Sequence, residues 1–130
     1  MFSVRIALGD LAGGPFTELA AVVDTGASYS MAPAALLRAL GVEPYRDVRF
    51  VLADGSRTSL PVGYARVRVE GREEMTQVVF VDPGRPILLG ATTLQQLGLA
   101  VDSVNERLVP TDALLFAAIR GLSAGVPQHI

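Results

Sequence analysis

Residues 21–28 constrain the fold of this chain more than any other segment. Their sequence is Ala-Val-Val-Asp-Thr-Gly-Ala-Ser, an apolar run that ends in one acid, one hydroxyl and one glycine. β-Branched residues favour strands, and glycine allows the backbone to turn tightly. The pattern therefore predicts a buried strand that delivers the carboxylate of Asp24 to a tight turn.

A second apolar segment, residues 86–91, has the sequence Pro-Ile-Leu-Leu-Gly-Ala and also reaches a glycine. Because Gly90 carries no side chain, another backbone segment can pass close to it. We expect Leu88 and Leu89 to form a buried strand that crosses the first one beneath a shared site.

Composition restricts the chemistry of such a site. The chain has no Lys and no Cys, and its only His is His129. These absences argue against a P-loop, a Schiff base, a thiol nucleophile, a Ser-His-Asp relay and the usual zinc ligands. Carboxylates are then the groups suited to acid–base catalysis near neutral pH. We expect no metal and no cofactor.

Bulk properties predict one globular domain. The chain has 130 residues, is half apolar and carries a formal net charge of -2, so it can bury a single core without metal or disulfides. We assign residues 1–121 to the domain and 122–130 to a C-terminal tail. No basic stripe favours nucleic acid, and no apolar run has the length of a membrane span. Residues 1–6 alternate as in a strand and do not show the charged region and apolar block of a signal peptide. We therefore expect a cytoplasmic protein.

Short strands separated by turn signals predict an all-β domain, mainly β with short helices. The predicted strands are 3–8, 16–24, 46–52, 58–70, 75–81, 99–102 and 107–110. The predicted helices are 33–40, 92–98 and 111–120, with extended chain as the alternative for the first part of 111–120. The tip residues Ala53, Asp54, Gly55 and Ser56 form a tight hairpin turn in this scheme, because Asp-Gly favours left-handed backbone angles.

With these motifs, most of residues 1–110 resembles the retropepsin-like aspartic proteases, and the hairpin at 99–110 is more similar to bacterial and archaeal single-domain relatives. The resemblance implies a closed acid-protease barrel with one lobe per subunit. It makes Asp24 the catalytic acid or base and Thr25 and Gly26 its scaffold. It also assigns structural support of the site to Leu88, Leu89 and Gly90.

The resemblance further implies a homodimer. Aspartic proteases use two carboxylates that share one proton, yet this chain has one Asp-Thr-Gly and no second Asp-Thr-Gly or Asp-Ser-Gly. Asp24 of a second identical chain would complete the site. Residues 53–56 would form a flap and, with Ala27, bind a peptide or protein substrate in a largely apolar groove.

Two departures from the family pattern alter these expectations. Ala91 stands where viral relatives carry an Arg that braces the dimer, and Ala27 lacks the hydroxyl that pepsin-like enzymes bond to the carboxylate. Without that bond we expect a pH optimum nearer neutrality than that of pepsin. Ser28 and Ser30 could hydrogen-bond the active-site loop, but serine is common in such turns, so the preferred interpretation is that they are ordinary turn residues. The alternative function is a catalytically silent retropepsin-fold module for dimerisation or peptide binding.

Overall fold

The structure is a computed structural model that describes residues 1–112. Strands dominate this part of the chain, and two short helices interrupt them. In chain order the elements are β1 (Ser3–Gly9), β2 (Thr17–Asp24), β3 (Ser30–Pro33), α1 (Ala34–Ala39), β4 (Pro44–Val51), β5 (Arg57–Val69), β6 (Arg72–Val81), β7 (Leu88–Gly90), α2 (Ala91–Leu97), β8 (Leu99–Asp102) and β9 (Arg107–Pro110).

The main sheet closes into a barrel. Its strand order is β1-β2-β7-β3-β6-β5-β4, and β1 also pairs with β5. The strands β1, β2, β7, β3, β6 and β5 therefore form a ring in which each has two neighbours, so none of them is left as an open edge. β4 lies outside the ring and pairs with β5, while β8 and β9 form a separate hairpin. The predicted mainly-β barrel is confirmed.

Two parallel strand pairs place the predicted motifs side by side. β2 pairs with β7 in the register Val22–Leu88, Val23–Leu89 and Asp24–Gly90. β3 pairs in parallel with β6, and it also contacts β7. Parallel strands are covered on both faces, which explains why the sequence around Asp24 and Gly90 is continuously apolar.

The barrel encloses the main hydrophobic core. Ala21, Val23, Leu37 and Leu89 are among its most buried members, each with at most 3% of its surface exposed. A second, smaller apolar cluster is built on Val62, Val79 and Val81, and the partly buried residues around it come from β3, β4, β5 and the loop before β3.

Some predicted boundaries are wrong. β3 was not anticipated, because four residues of sequence Ser-Met-Ala-Pro carry no strand signal of their own and are ordered by pairing with β6. Pro33 consequently ends β3, and helix α1 begins one residue later than predicted. β6 begins at Arg72, three residues before the predicted start, because the turn at Glu70 and Gly71 is tight, with both residues at positive φ.

The remaining C-terminal predictions extend past the described part of the chain. Almost all of the predicted helix 111–120, the domain limit at residue 121 and the tail 122–130 lie outside residues 1–112. Within the described residues, neither helix has the length and apolar character that crossing a bilayer requires.

Candidate active site

Asp24 is the last residue of β2, and its side chain is half-buried at the end of the strand. The backbone turns immediately after it: the Gly26 N–H donates to Asp24 Oδ1 over 2.9 Å, and the Ala27 N–H donates to the Asp24 carbonyl over 3.2 Å. Thr25 and Gly26 are exposed. The sequence thus folds locally as the motif predicts, with one carboxylate presented at the surface on a rigid strand.

Gly90 lies opposite Asp24 in the β2–β7 register. A Cβ atom added to Gly90 would lie 2.5 Å from the Tyr29 carbonyl oxygen and 3.0 Å from the Ala27 carbonyl oxygen. Those distances are too short for a carbon, so only glycine permits the backbone after Asp24 to fold this closely over β7. The structure brings together the two motifs that the sequence predicted to meet, but the prediction that their strands cross is wrong, because β2 and β7 pair side by side in parallel.

The loop that follows Asp24 is fastened to the start of α2. The Ala91 N–H donates to the Ala27 carbonyl over 2.8 Å, and the Thr92 N–H donates to the Ser28 carbonyl over 3.2 Å. These first helical N–H groups have no acceptor within their own helix, so the loop carbonyls satisfy them. The segment 27–30, named here the motif loop, is thereby held against β7 and α2.

Ser30 takes part in this attachment, and the expectation that it is an ordinary turn residue is wrong. Its hydroxyl is buried and accepts the Gly90 N–H over 3.0 Å. Thr76 and Thr93 are also buried and lie in hydrogen-bonding contact behind it. Neither threonine was predicted from the sequence to belong to the site. A usable signal was present, because Thr76 alternates with Val78 and Phe80 along β6 and so faces the core.

The hairpin tip at 53–56 is built as an Asx-type turn between β4 and β5. Asp54 Oδ1 accepts the Ser56 N–H over 2.9 Å and the Ser56 hydroxyl over 2.6 Å. Donation by the Ser56 hydroxyl, followed by its N–H, lowers the pKa of the Asp54 carboxyl. Gly55 has φ +87°, the left-handed conformation expected for Asp-Gly. The tip, including Ala53, is exposed in the single chain.

A pocket of about 290 Å³ borders the motif loop, between α2 and the strands β5 and β6. Hydroxyls and carboxamides line most of it, and no charged side chain does. The lining residues are Ser28, Tyr29, Ser30, Tyr64, Thr76, Gln77, Thr92, Thr93 and Gln96. This pocket differs in character from the apolar groove expected for substrate, which would form between two chains and stays a prediction.

The charge environment of Asp24 is simple. Within residues 1–112 the ion pairs involve other carboxylates, and none contains Asp24. The same part of the chain contains no group of three or more His, Cys, Asp or Glu residues that could hold a metal ion.

Comparison with solved structures agrees with the observed fold. The protease of simian foamy virus (mac) has a similar fold, with a TM-score of 0.51 and 23% identity over 72% of this chain and 94% of that one. The EIAV protease, in complex with the inhibitor HBY-793, has a TM-score of 0.52 and 22% identity, over 74% of this chain and 86% of that one. The retroviral protease-like domain of Ddi1 from Leishmania major has a TM-score of 0.50 and 16% identity, over 85% of this chain and 89% of that one.

No curated protein matches the chain. The family model described as aspartyl protease, however, matches residues 6–108. That range contains the Asp-Thr-Gly motif, the hairpin tip and the Leu-Leu-Gly strand. With the closed barrel and the parallel pairing of β2 and β7, the match leads to one conclusion: the chain belongs to the aspartyl protease family.

Proposed function

We propose that this protein is an aspartic endopeptidase that works as a homodimer. The observation that carries the proposal is the position of Asp24: the Gly26 N–H holds its carboxylate at the end of a barrel strand, and its backbone pairs with Gly90 of β7. A barrel strand places an acid more rigidly than a mobile loop, and catalysis depends on such placement.

The reaction requires a second carboxylate. In the proposed mechanism one ionised Asp24 takes a proton from a water molecule, and that water attacks the peptide carbonyl carbon. The other Asp24, protonated, donates a hydrogen bond to the carbonyl oxygen as the tetrahedral species forms. The two groups share one proton because two charges so close together cannot both persist. No covalent enzyme intermediate is needed.

Symmetry supplies the second acid. The sequence has a single Asp-Thr-Gly, so a two-fold axis beside Asp24 is the simplest way to pair the motif with itself in an isologous interface. Thr25 and Gly26 are exposed beside the acid in the single chain, where they are accessible to a partner. By resemblance to the retropepsins, Thr25 of each chain bonds across that axis.

The hairpin 53–56 is proposed as the flap. It is exposed and is carried on β4, which lies outside the closed ring and is paired only on its β5 side within the described residues. An extended peptide would lie between this hairpin and the paired Asp24 carboxylates, and closure of the hairpin would exclude water from the reacting bond.

The deciding experiment is hydrolysis of a mixed peptide pool between about pH 3 and pH 8, the range in which carboxyl groups of ordinary and raised pKa change charge. The native protein should cleave peptides internally, and Asp24→Asn should not. Asp82→Asn, a change at an exposed turn aspartate, is the matched control and should cleave like the native protein. The proposal is contradicted if the native protein and Asp24→Asn cleave equally well, or if neither protein cleaves any peptide.

Mixing tests whether two chains share the site. If native protein and an equal amount of Asp24→Asn exchange subunits at random, about half of the native chains enter mixed dimers with a single Asp24, so activity should fall by about half. Added Asp82→Asn should not depress activity in this way. A native protein that is active as a monomer by sedimentation would overturn the dimer.

The second candidate is a catalytically silent module that keeps the fold for dimerisation or peptide binding. The similarity to the protease-like domain of Ddi1 favours considering it, because that domain matches the fold about as well as the viral enzymes do, and a shared fold does not establish activity. A dimer that binds peptides from the pool without cleaving them at any pH would support this candidate.

A further inference from the structure

Three buried hydroxyl groups are hydrogen-bonded in a line that begins at Ser30, the last residue of the motif loop and the first of β3. Thr93 Oγ1 lies 2.6 Å from Ser30 Oγ and 2.8 Å from Thr76 Oγ1. The exposed fraction is 6% for Ser30, 2% for Thr76 and 1% for Thr93. We name these residues the hydroxyl chain. They come from β3, β6 and α2, so the chain joins three elements that are distant in sequence.

The three buried hydroxyls depend on one another for hydrogen bonds. A hydroxyl removed from water without a partner costs about 1–3 kcal/mol in proteins, so each member depends on the others. Thr93 is the central member and contacts both of its neighbours. A valine at this position would have nearly the same shape but would leave both Ser30 and Thr76 short of a buried hydrogen bond.

The hydroxyl chain ends on the backbone of the candidate active site. Ser30 Oγ accepts the Gly90 N–H over 3.0 Å, and Gly90 is the residue directly opposite Asp24 in the β2–β7 pair. The Gly90 amide therefore points to a side chain of the motif loop. The position of the Ser30 hydroxyl, and with it that of the loop, depends on Thr93.

We propose that Thr93 is a positioning residue that sets the location of Asp24 through Ser30 and Gly90. This inference rests on the proposed endopeptidase function, since positioning has a kinetic meaning only if Asp24 reacts. Thr93 does not need to touch substrate. It fixes the hydroxyl that holds Gly90, while the Ala91 and Thr92 N–H groups beside it hold the Ala27 and Ser28 carbonyls.

The expected consequence is a change in turnover with little change in substrate binding. A misplacement of about 1 Å at a reacting group can lower a rate by about 100-fold. For Thr93→Val we expect kcat to fall by about tenfold or more, with KM within about twofold, because the carboxylates move while the substrate-contacting surface stays in place. Thr93→Ser retains the hydroxyl and should restore kcat to within about threefold of the native value.

A stability-matched control separates positioning from general damage to the core. Val69→Ala removes two methyl groups at the last residue of β5, a core position with 1% exposure that is not part of the hydroxyl chain. It should lower stability without a matching loss of kcat at a temperature where the protein remains folded. If Thr93→Val and Val69→Ala lose kcat in proportion to stability, or if Thr93→Val keeps native kcat, the proposal is wrong.

Amide hydrogen exchange gives a readout that needs no activity. The Gly90 amide should exchange about tenfold faster or more in Thr93→Val than in the native protein, and Thr93→Ser should restore its protection. Unchanged Gly90 protection in Thr93→Val overturns the proposal. If the native protein cleaves nothing, the endopeptidase function is refuted. Faster exchange of the Gly90 amide in Thr93→Val would in that case still identify Thr93 as the residue that positions the motif loop.

Discussion

Tyr29 and Phe50 pack edge to face, with ring centroids 5.2 Å apart and an interplanar angle of 87°. Tyr29 belongs to the motif loop that follows Asp24, and Phe50 lies near the end of β4, just before the hairpin tip. This contact joins the site of the acid to the arm of the proposed flap. We therefore expect the motif loop to restrain the motion of the hairpin in the single chain.

The aromatic contact predicts how tightly the hairpin is held. Phe50→Ala removes a pair interaction worth about 1 kcal/mol beyond simple burial, so the hairpin should open more often. We expect the amides of Leu52 and Gly55, which close the tip by bonds to Ser56 and Leu52, to exchange about fivefold faster. Hydrogen exchange with mass spectrometry or NMR measures this rate.

Val51→Ala provides the matched control for the aromatic contact. Val51 is the next residue along β4 and points the other way, with 65% of its surface exposed. Its truncation should leave exchange at the tip nearly unchanged. Equal acceleration in the two variants would show that the Tyr29 contact does not restrain the hairpin.

The hairpin tip should also respond to acid in a defined direction. Hydrogen bonds from Ser56 lower the pKa of Asp54 in the folded protein, so ionised Asp54 stabilises the turn above its unfolded pKa. That contribution is lost as pH falls through the lower folded pKa. Ser56→Ala removes the hydroxyl donor and should raise the pKa of Asp54 toward its ordinary value. A carbon-13 NMR titration of the Asp54 carboxyl measures the shift.

Asp102 serves as the internal control for that titration. Its pKa is also lowered, first by the side chain of Asn105, in a turn that shares no contact with Ser56. It should titrate alike in the native protein and in Ser56→Ala. An Asp54 titration that is identical in both proteins would mean that the Ser56 hydroxyl does not bond to this carboxylate in solution.

Two glycines should fail for different reasons when replaced by alanine. Gly90→Ala places a carbon 2.5 Å from the Tyr29 carbonyl oxygen and should lower the free energy of unfolding by about 3 kcal/mol, as overpacked cores do. Gly55→Ala meets no atom within 4 Å but has φ +87°, so its cost is that of a left-handed alanine, about 1 kcal/mol. Urea denaturation compares the two. Equal losses would contradict the close approach at Gly90.

Much of the candidate site was predictable because its signals are local. The apolar run before Asp24 specifies a backbone conformation that depends on neighbouring residues, and the Asp54–Gly55 turn does so as well. The strand and the two turns were therefore predicted at nearly the observed positions. Their catalytic roles stay predictions, since the position of a side chain does not by itself establish its chemistry.

Other parts of the site carried no local signal. β3 has four residues, and its strand conformation comes from partners in β6 and β7. The hydroxyl chain was missed for a similar reason: serine and threonine are common in turns and on surfaces, and nothing adjacent to Thr93 in sequence indicates that Ser30 lies 2.6 Å away. Contacts between residues 17 or more positions apart require the folded chain.

The amino-acid sequence by itself determined the kind of molecule: a mainly-β domain with one motif acid at a strand end, a tight hairpin and a glycine that permits close approach. Those properties follow from backbone preferences and from the alternation of apolar residues. Only the tertiary structure decided that β1 closes on β5, that Gly90 lies opposite Asp24, and that Thr93 holds Ser30. Closure and buried hydrogen bonding join distant segments, so the pairing of partners depends on the whole packed barrel.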